Sequence, residues 1–157
     1  MSHKPKSTVV FWPRDLLKHC AWLELTGIAP QVYGLFRLRI QVERQRDRRE
    51  KRTPFVIKND GHIVFSYVEA KRNFGITSPR FRRALKELVE KGLLDVAHHG
   101  GGLEGNPSRY AFSERWRAYG TPDFKIVTLP KGRAWITNKM RPTNGGIRAP
   151  TNGSVRG

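Results

Sequence analysis

The chain is poor in acid and almost without sulfur. Its 157 residues hold 13 Asp and Glu against 30 Lys and Arg, one Cys and two Met, for a formal net charge of +17. A single cysteine, Cys20, excludes an internal disulfide. A structural zinc site takes four Cys or His ligands. Here His19 and Cys20 are adjacent, His98 and His99 are adjacent, and no C-x-x-C or H-x-x-x-H spacing occurs. Neighbours on a helix point about 100° apart, so no metal is expected. The longest apolar run extends only from Val9 to Trp12. A membrane span needs about 20 such residues and a secretion signal a core of about 7–15, so neither is expected. A cytoplasmic, nucleoid-associated location follows as the expectation, with no membrane partner.

What is present is positive charge together with aromatic residues: 4 Trp, 4 Tyr and 8 Phe. The aromatics bury enough surface to offset chain entropy, which argues against a wholly disordered chain. The charge calls for a polyanionic partner, nucleic acid first, with an anionic membrane surface as the competing reading.

Along the chain, residues 1–12 read as a flexible arm and 13–125 as one domain. Leu16, Leu17, Ala21, Trp22 and Leu25 recur at helical spacing until Thr26-Gly27. Pro30 suits a first turn, and Val32, Leu35, Phe36, Leu38, Ile40 and Val42 predict a second helix over 29–46. Residues 44–52, RQRDRREKR, contain six bases, two acids and no apolar residue. They read either as a solvated surface run or as a phosphate-contacting arm. Phe55 to Ile57 and His62 to Phe65 are strand candidates around an Asn59-Asp60-Gly61 turn.

Ser66-Tyr67-Val68-Glu69 has the spacing of a capping box, which starts a helix running to Asn73 or Phe74. Gly75 supplies a left-handed turn and Ile76 a core plug. Thr77 or Ser78 caps a second helix with Pro79 in its first turn, ending at Gly92. On that helix Phe81, Ala84, Leu85 and Leu88 share a face, with Val89 at its edge. Arg83, Lys86 and Glu90 lie opposite, flanked by Arg80, Arg82 and Glu87. The bases fall in the first half and Glu87 and Glu90 in the second. This is the charge order of a helix-turn-helix, whose second helix meets base edges with its N-terminal residues. Leu93 to Val96 and Ser108 to Phe112 then read as strands about a Gly-rich loop, the arrangement of a wing.

The stretch SYVEAKRNFGITSPRFRRALKELVEKGLLDV resembles winged helix-turn-helix proteins. It is similar to small bacterial regulators and to the N-terminal domains of phage and plasmid replication initiators. The shared features are Ser66, Glu69 and Ala70, then Gly75-Ile76-Thr77, then Arg83-Ala84-Leu85 and Leu88. Residues 113–122 are similar to a segment that follows the wing in bacterial proteins of this kind, and the resemblance spans roughly residues 10–125. It departs at the wing tip, which is long, rich in Gly and carries His98-His99 where many relatives have Arg or Lys. The resemblance implies a mainly α fold with a small antiparallel β-sheet: a helix-turn-helix at 66–92 and a wing at 93–112. It also implies sequence-specific duplex DNA binding, in transcription regulation or replication initiation. The alternatives are an RNA-binding or a protein-interaction winged helix. A homodimer would read two half-sites about 34–36 Å apart.

The expected contact set has Ser78, Pro79, Arg80, Arg83 and Lys86 at the major groove. Tyr67, Lys71, Arg72, Arg82, Arg109, His98 and His99 are expected at phosphates or the minor groove. The expected core is Leu16, Leu17, Leu35, Val68, Ala70, Phe74, Ile76, Phe81, Leu85, Leu88, Leu94 and Tyr110. Residues 126–157 read as a basic, disordered tail, either following phosphates or merely solvated. From Pro130 on they hold six bases and no acid, with Pro142–Arg148 repeated at Pro150–Arg156. Scattered acids, no phosphate loop and no Ser-His-Asp pattern argue against an enzyme, and no cofactor is expected.

Overall fold

The computed structural model describes residues 10–44, 55–100 and 106–129. The 44–52 run beyond Arg44, the wing tip at 101–105, the arm before Val10 and the tail from Pro130 lie outside the described residues. Within them the chain forms α1 (Arg14–Lys18), α2 (Cys20–Leu23), α3 (Ala29–Arg37), β1 (Val42–Arg44), β2 (Phe55–Ile57) and β3 (Ile63–Val64). Then come α4 (Tyr67–Phe74), α5 (Ser78–Glu90), β4 (Leu94–His98), β5 (Arg109–Phe112) and a short 3-10 helix at Arg115–Ala118. Helices with two small antiparallel sheets make it an α+β fold.

The apolar stripe of α5 forms as its spacing requires. Phe81, Ala84, Leu85, Leu88 and Val89 are all buried, and α3 and α4 pack against this helix. Phe81 is central, its ring edge-on to Phe65 at 4.8 Å and to Tyr67 at 5.0 Å between centroids. Phe36 joins from α3, 5.3 Å from Phe65 and 5.1 Å from Tyr110. Between α4 and α5, Gly75 takes φ 64°, the left-handed conformation that favours glycine. Its N–H and that of Ile76 close the end of α4 on the carbonyls of Lys71 and Ala70, and Ile76 is buried below. Gly92, at φ 77°, ends α5. A Cβ there would stand 2.7 Å from the Trp116 backbone nitrogen, so the 3-10 helix packs directly on the turn.

The three-stranded sheet has the order β3-β5-β4, with Ile63 opposite Tyr110 and Leu94 opposite Phe112. A register irregularity falls between Val96 and His98. A second sheet pairs β1 with β2, Val42 facing Ile57.

Four expectations are corrected. The helix read from Pro13 to Leu25 is broken at His19, whose backbone is extended (φ −81°, ψ 145°). Its Nδ1 accepts the Ala21 N–H while its ring stands edge-on to Trp116. The helix expected over 29–46 stops at Arg37. The Asn59 side chain takes the Arg39 carbonyl and the Gln41 N–H, and 42–44 become a strand. Leu17, Val68 and Phe74 are exposed, at 40%, 68% and 38%. Leu17 points about 100° round α1 from the buried Leu16, away from the packed face. On α4 the inward stripe is Tyr67, Ala70 and Phe74, leaving Val68 outside it and Phe74 at its rim. At the ends, Trp12 and Leu129 pack against the core, so packing extends past 13–125 on both sides.

Truncating Phe81→Ala is expected to lower the unfolding free energy by about 3–5 kcal/mol. Val68→Ala should change it by no more than about 0.5 kcal/mol. Urea denaturation measures both, and equal losses would contradict the packing. Burial pushes the Tyr110 phenol up to about 12, with Tyr67 alongside acting in the same direction. The unfolded tyrosine releases its proton near pH 10. The native state therefore holds a proton that the unfolded chain has lost, and stability should fall as pH rises from about 10 toward 12. Tyr110→Phe should flatten that decline in part, and an unaltered slope would count against it.

Candidate nucleic-acid interface

The basic side chains divide into two sets by what they touch. One set is built into the fold. Arg39 donates to the Leu35 carbonyl at 2.6 Å, pairs with Glu69 and lies 3.8 Å over the Phe65 ring. Arg37 bonds the Tyr33 hydroxyl at 2.9 Å and covers Phe112 at 4.2 Å. Arg115 donates to Asp95 at 2.6 Å and 2.9 Å and to the carbonyls of Val89 and Lys125. Lys91 meets Glu24 and the Tyr119 hydroxyl, both at 3.1 Å. The same two partners hold the Glu24 carboxyl below its ordinary range, the Tyr119 bond first.

The second set faces water. Arg80, Arg83 and Lys86 are exposed on α5, Lys71 and Arg72 on the last turn of α4, and Arg109 on β5. Arg80, Arg83, Lys71, Arg72 and Arg109 make no ion pair among the described residues. Lys86 pairs weakly with Glu90 at 3.7 Å, the lysine exposed and the glutamate partly covered. A pair of this kind contributes little and is easily exchanged for another anion.

Of the acids of α5, Glu90 pairs with Lys86 and Glu87 with the turn before α3. Glu87 accepts both the Thr26 N–H and the Thr26 hydroxyl at 2.9 Å. This carboxylate ties the α2–α3 turn to α5. Between turn and helix lies a shallow cleft of about 260 Å³, lined by residues 26–29 on one side and by Arg80, Arg83, Ala84 and Glu87 on the other.

The other expected site residues fall as follows. Ser78 and Pro79 are exposed in the first turn of α5. Thr77 is the N-cap, with no side-chain cap bond. Tyr67 is half-buried with its ring on Phe81, so its ring serves packing. Ser66 accepts the Glu69 N–H at 3.1 Å, but the Glu69 carboxylate goes to Arg39. The charge-assisted bond displaces the reciprocal half of the capping box. Arg82 is partly covered. His98 and Arg109 face each other across the β4–β5 pair. His98 Nε2 lies 2.7 Å from Asn106 Oδ1, and His99 is exposed beyond it.

Sequence reasoning missed the contribution of Thr26 to Ala29 to this region. The only local signal was Thr26-Gly27 as a helix end. Among the described residues no three His, Cys, Asp or Glu side chains gather as metal ligands. No helix among them is long and apolar enough to cross a membrane. Compared with protein-family models, curated proteins and solved structures, the chain matches none.

Proposed function

We propose that the chain is a winged helix-turn-helix protein that binds duplex DNA sequence-specifically, with α5 as the reading helix and the β4–β5 hairpin as the wing. It would serve in transcription regulation or replication initiation. The observation that carries the reading is the outward side of α5. Among the described residues Arg83 on that side and Arg80 at its flank have no acid partner and lie in the N-terminal half of the helix, weakly paired Lys86 comes just beyond, and Glu87 is bound by Thr26. A helix that enters the major groove needs that order, because base edges are met by its first turns. The element sequence α3, β3, α4, α5, β4, β5, with the separate β1–β2 pair inserted between α3 and β3, and the strand order β3-β5-β4 support the same reading. Lys71, Arg72 and Arg109 supply charge beside that helix for the sugar–phosphate strands.

The test is competition between duplex DNA and structured RNA for the full chain, followed by selection of preferred duplex sites. Duplex should win and one motif should be enriched. Arg83→Ala should then relax preference at one base pair by about 1–3 kcal/mol. Lys71→Ala and Arg109→Ala should weaken all duplexes alike, each making the log–log salt slope shallower by about 0.9. Preferential retention of structured RNA, or a site preference untouched by Arg83→Ala, would count against α5 as a reader of duplex DNA.

A further inference from the structure

The cleft beside α5 is a candidate for a separate task. Residues 80, 83, 84 and 87 follow one another at helical spacing, so the cleft runs along one flank of α5. Arg83 stands where that flank meets the outward face, and Arg80 lies wholly on the flank. Both guanidiniums are exposed and neither has an acid partner among the described residues. The one carboxylate in the cleft, Glu87, has each oxygen taken by Thr26. That bond holds the turn beside the helix across 61 positions of sequence. At the turn Gly27 has φ 55°, and a Cβ added there would meet nothing within 4 Å. A side chain at 27 therefore projects into open space and not into the core.

We infer that the α2–α3 turn and Arg80 together form a clamp for one backbone phosphate of bound DNA, with Glu87 as the residue that positions the turn. The inference rests on the duplex-binding reading. When a helix lies in the major groove, its outward face meets bases and its flanks meet the two sugar–phosphate walls. The flank carrying Arg80 is the flank overhung by the turn. Planar guanidinium groups pair with phosphate oxygens through two parallel bonds. A volume of about 260 Å³ falls below the range of about 300–1,000 Å³ of small-molecule pockets. Arg80 is thereby assigned to backbone contact, while Arg83 keeps the base-reading position.

The test uses a matched pair at the tip of the turn, Gly27→Asp and Gly27→Asn. Both residues tolerate the left-handed conformation and differ mainly in charge. With a phosphate at the turn, Gly27→Asp should weaken every duplex by about three- to tenfold at low salt. Gly27→Asn should stay within about twofold of wild type. Base preference should be unchanged in both. Arg80→Ala, an exposed change that spares the turn, should lower all affinities together and flatten the salt slope by about 0.9. Glu87→Ala should lower all affinities together by releasing the turn, whereas Glu87→Gln, which removes the same charge but keeps an acceptor for Thr26, should not. Equal binding by the Asp and Asn variants, or relaxed preference at one base pair in Arg80→Ala, would overturn the clamp. If wild type still bound a preferred duplex, the function proposed for α5 would survive that result. If wild type held no duplex, both would fall.

Discussion

Removal of one face of α5 from water is the constraint on which the rest of the structure depends. Phe81, Ala84, Leu85, Leu88 and Val89 are buried together, and burial of each larger side chain among them is worth about 1.5–3 kcal/mol. With that face committed, α3 and α4 have surfaces to pack on, and Phe65 and Tyr110 bring the sheet to the same centre. The opposite face of α5 must then meet solvent or a partner. The placement of Arg83 and Lys86 is thus the other side of the same periodicity.

A chain carrying +17 repels itself, and the fold answers by giving several cations internal work. Arg37 and Arg39 cover aromatic rings, Arg115 joins α5, β4 and the segment near Lys125, and Lys91 joins α2 to the 3-10 helix. Each of these groups has its donors or its flat face engaged, so its charge is unavailable to a large polyanion. Among the described residues, Lys71, Arg72, Arg80, Arg83 and Arg109, together with Arg14 and Lys18 on α1, are exposed and have no acid partner. The contrast between the two sets is a matter of tertiary contact, because an arginine in sequence looks the same in either.

That contrast explains what could be read from sequence. Elements set by local chemistry were legible: the α5 stripe, the Ser66 cap, the left-handed Gly75 and the strands on either side of residues 99–108. His19 caps α2 through Ala21 while its ring packs on Trp116, far along the chain, and beyond α3 the Asn59 side chain bonds Arg39 and Gln41. Neither distant partner has a local mark. Val68 illustrates a different limit. It is apolar and helical, yet it falls outside the Tyr67, Ala70 and Phe74 stripe that touches the body. For the candidate site, Arg80, Arg83 and Lys86 were legible from their position on the helix. The turn at 26–29 was not, because its approach to α5 is made by the bond from Thr26 to Glu87.

The most direct test is an NMR titration of the full chain with duplex DNA, following backbone amides together with arginine side-chain signals. The account predicts the largest changes at residues 78–86 and at the guanidinium groups of Arg80 and Arg83. The guanidinium signals of Arg37, Arg39 and Arg115 should stay in place, held by their rings and carbonyls. Shifts concentrated on those three arginines, or on the amides of Leu17 and Leu23 with α5 unchanged, would contradict it.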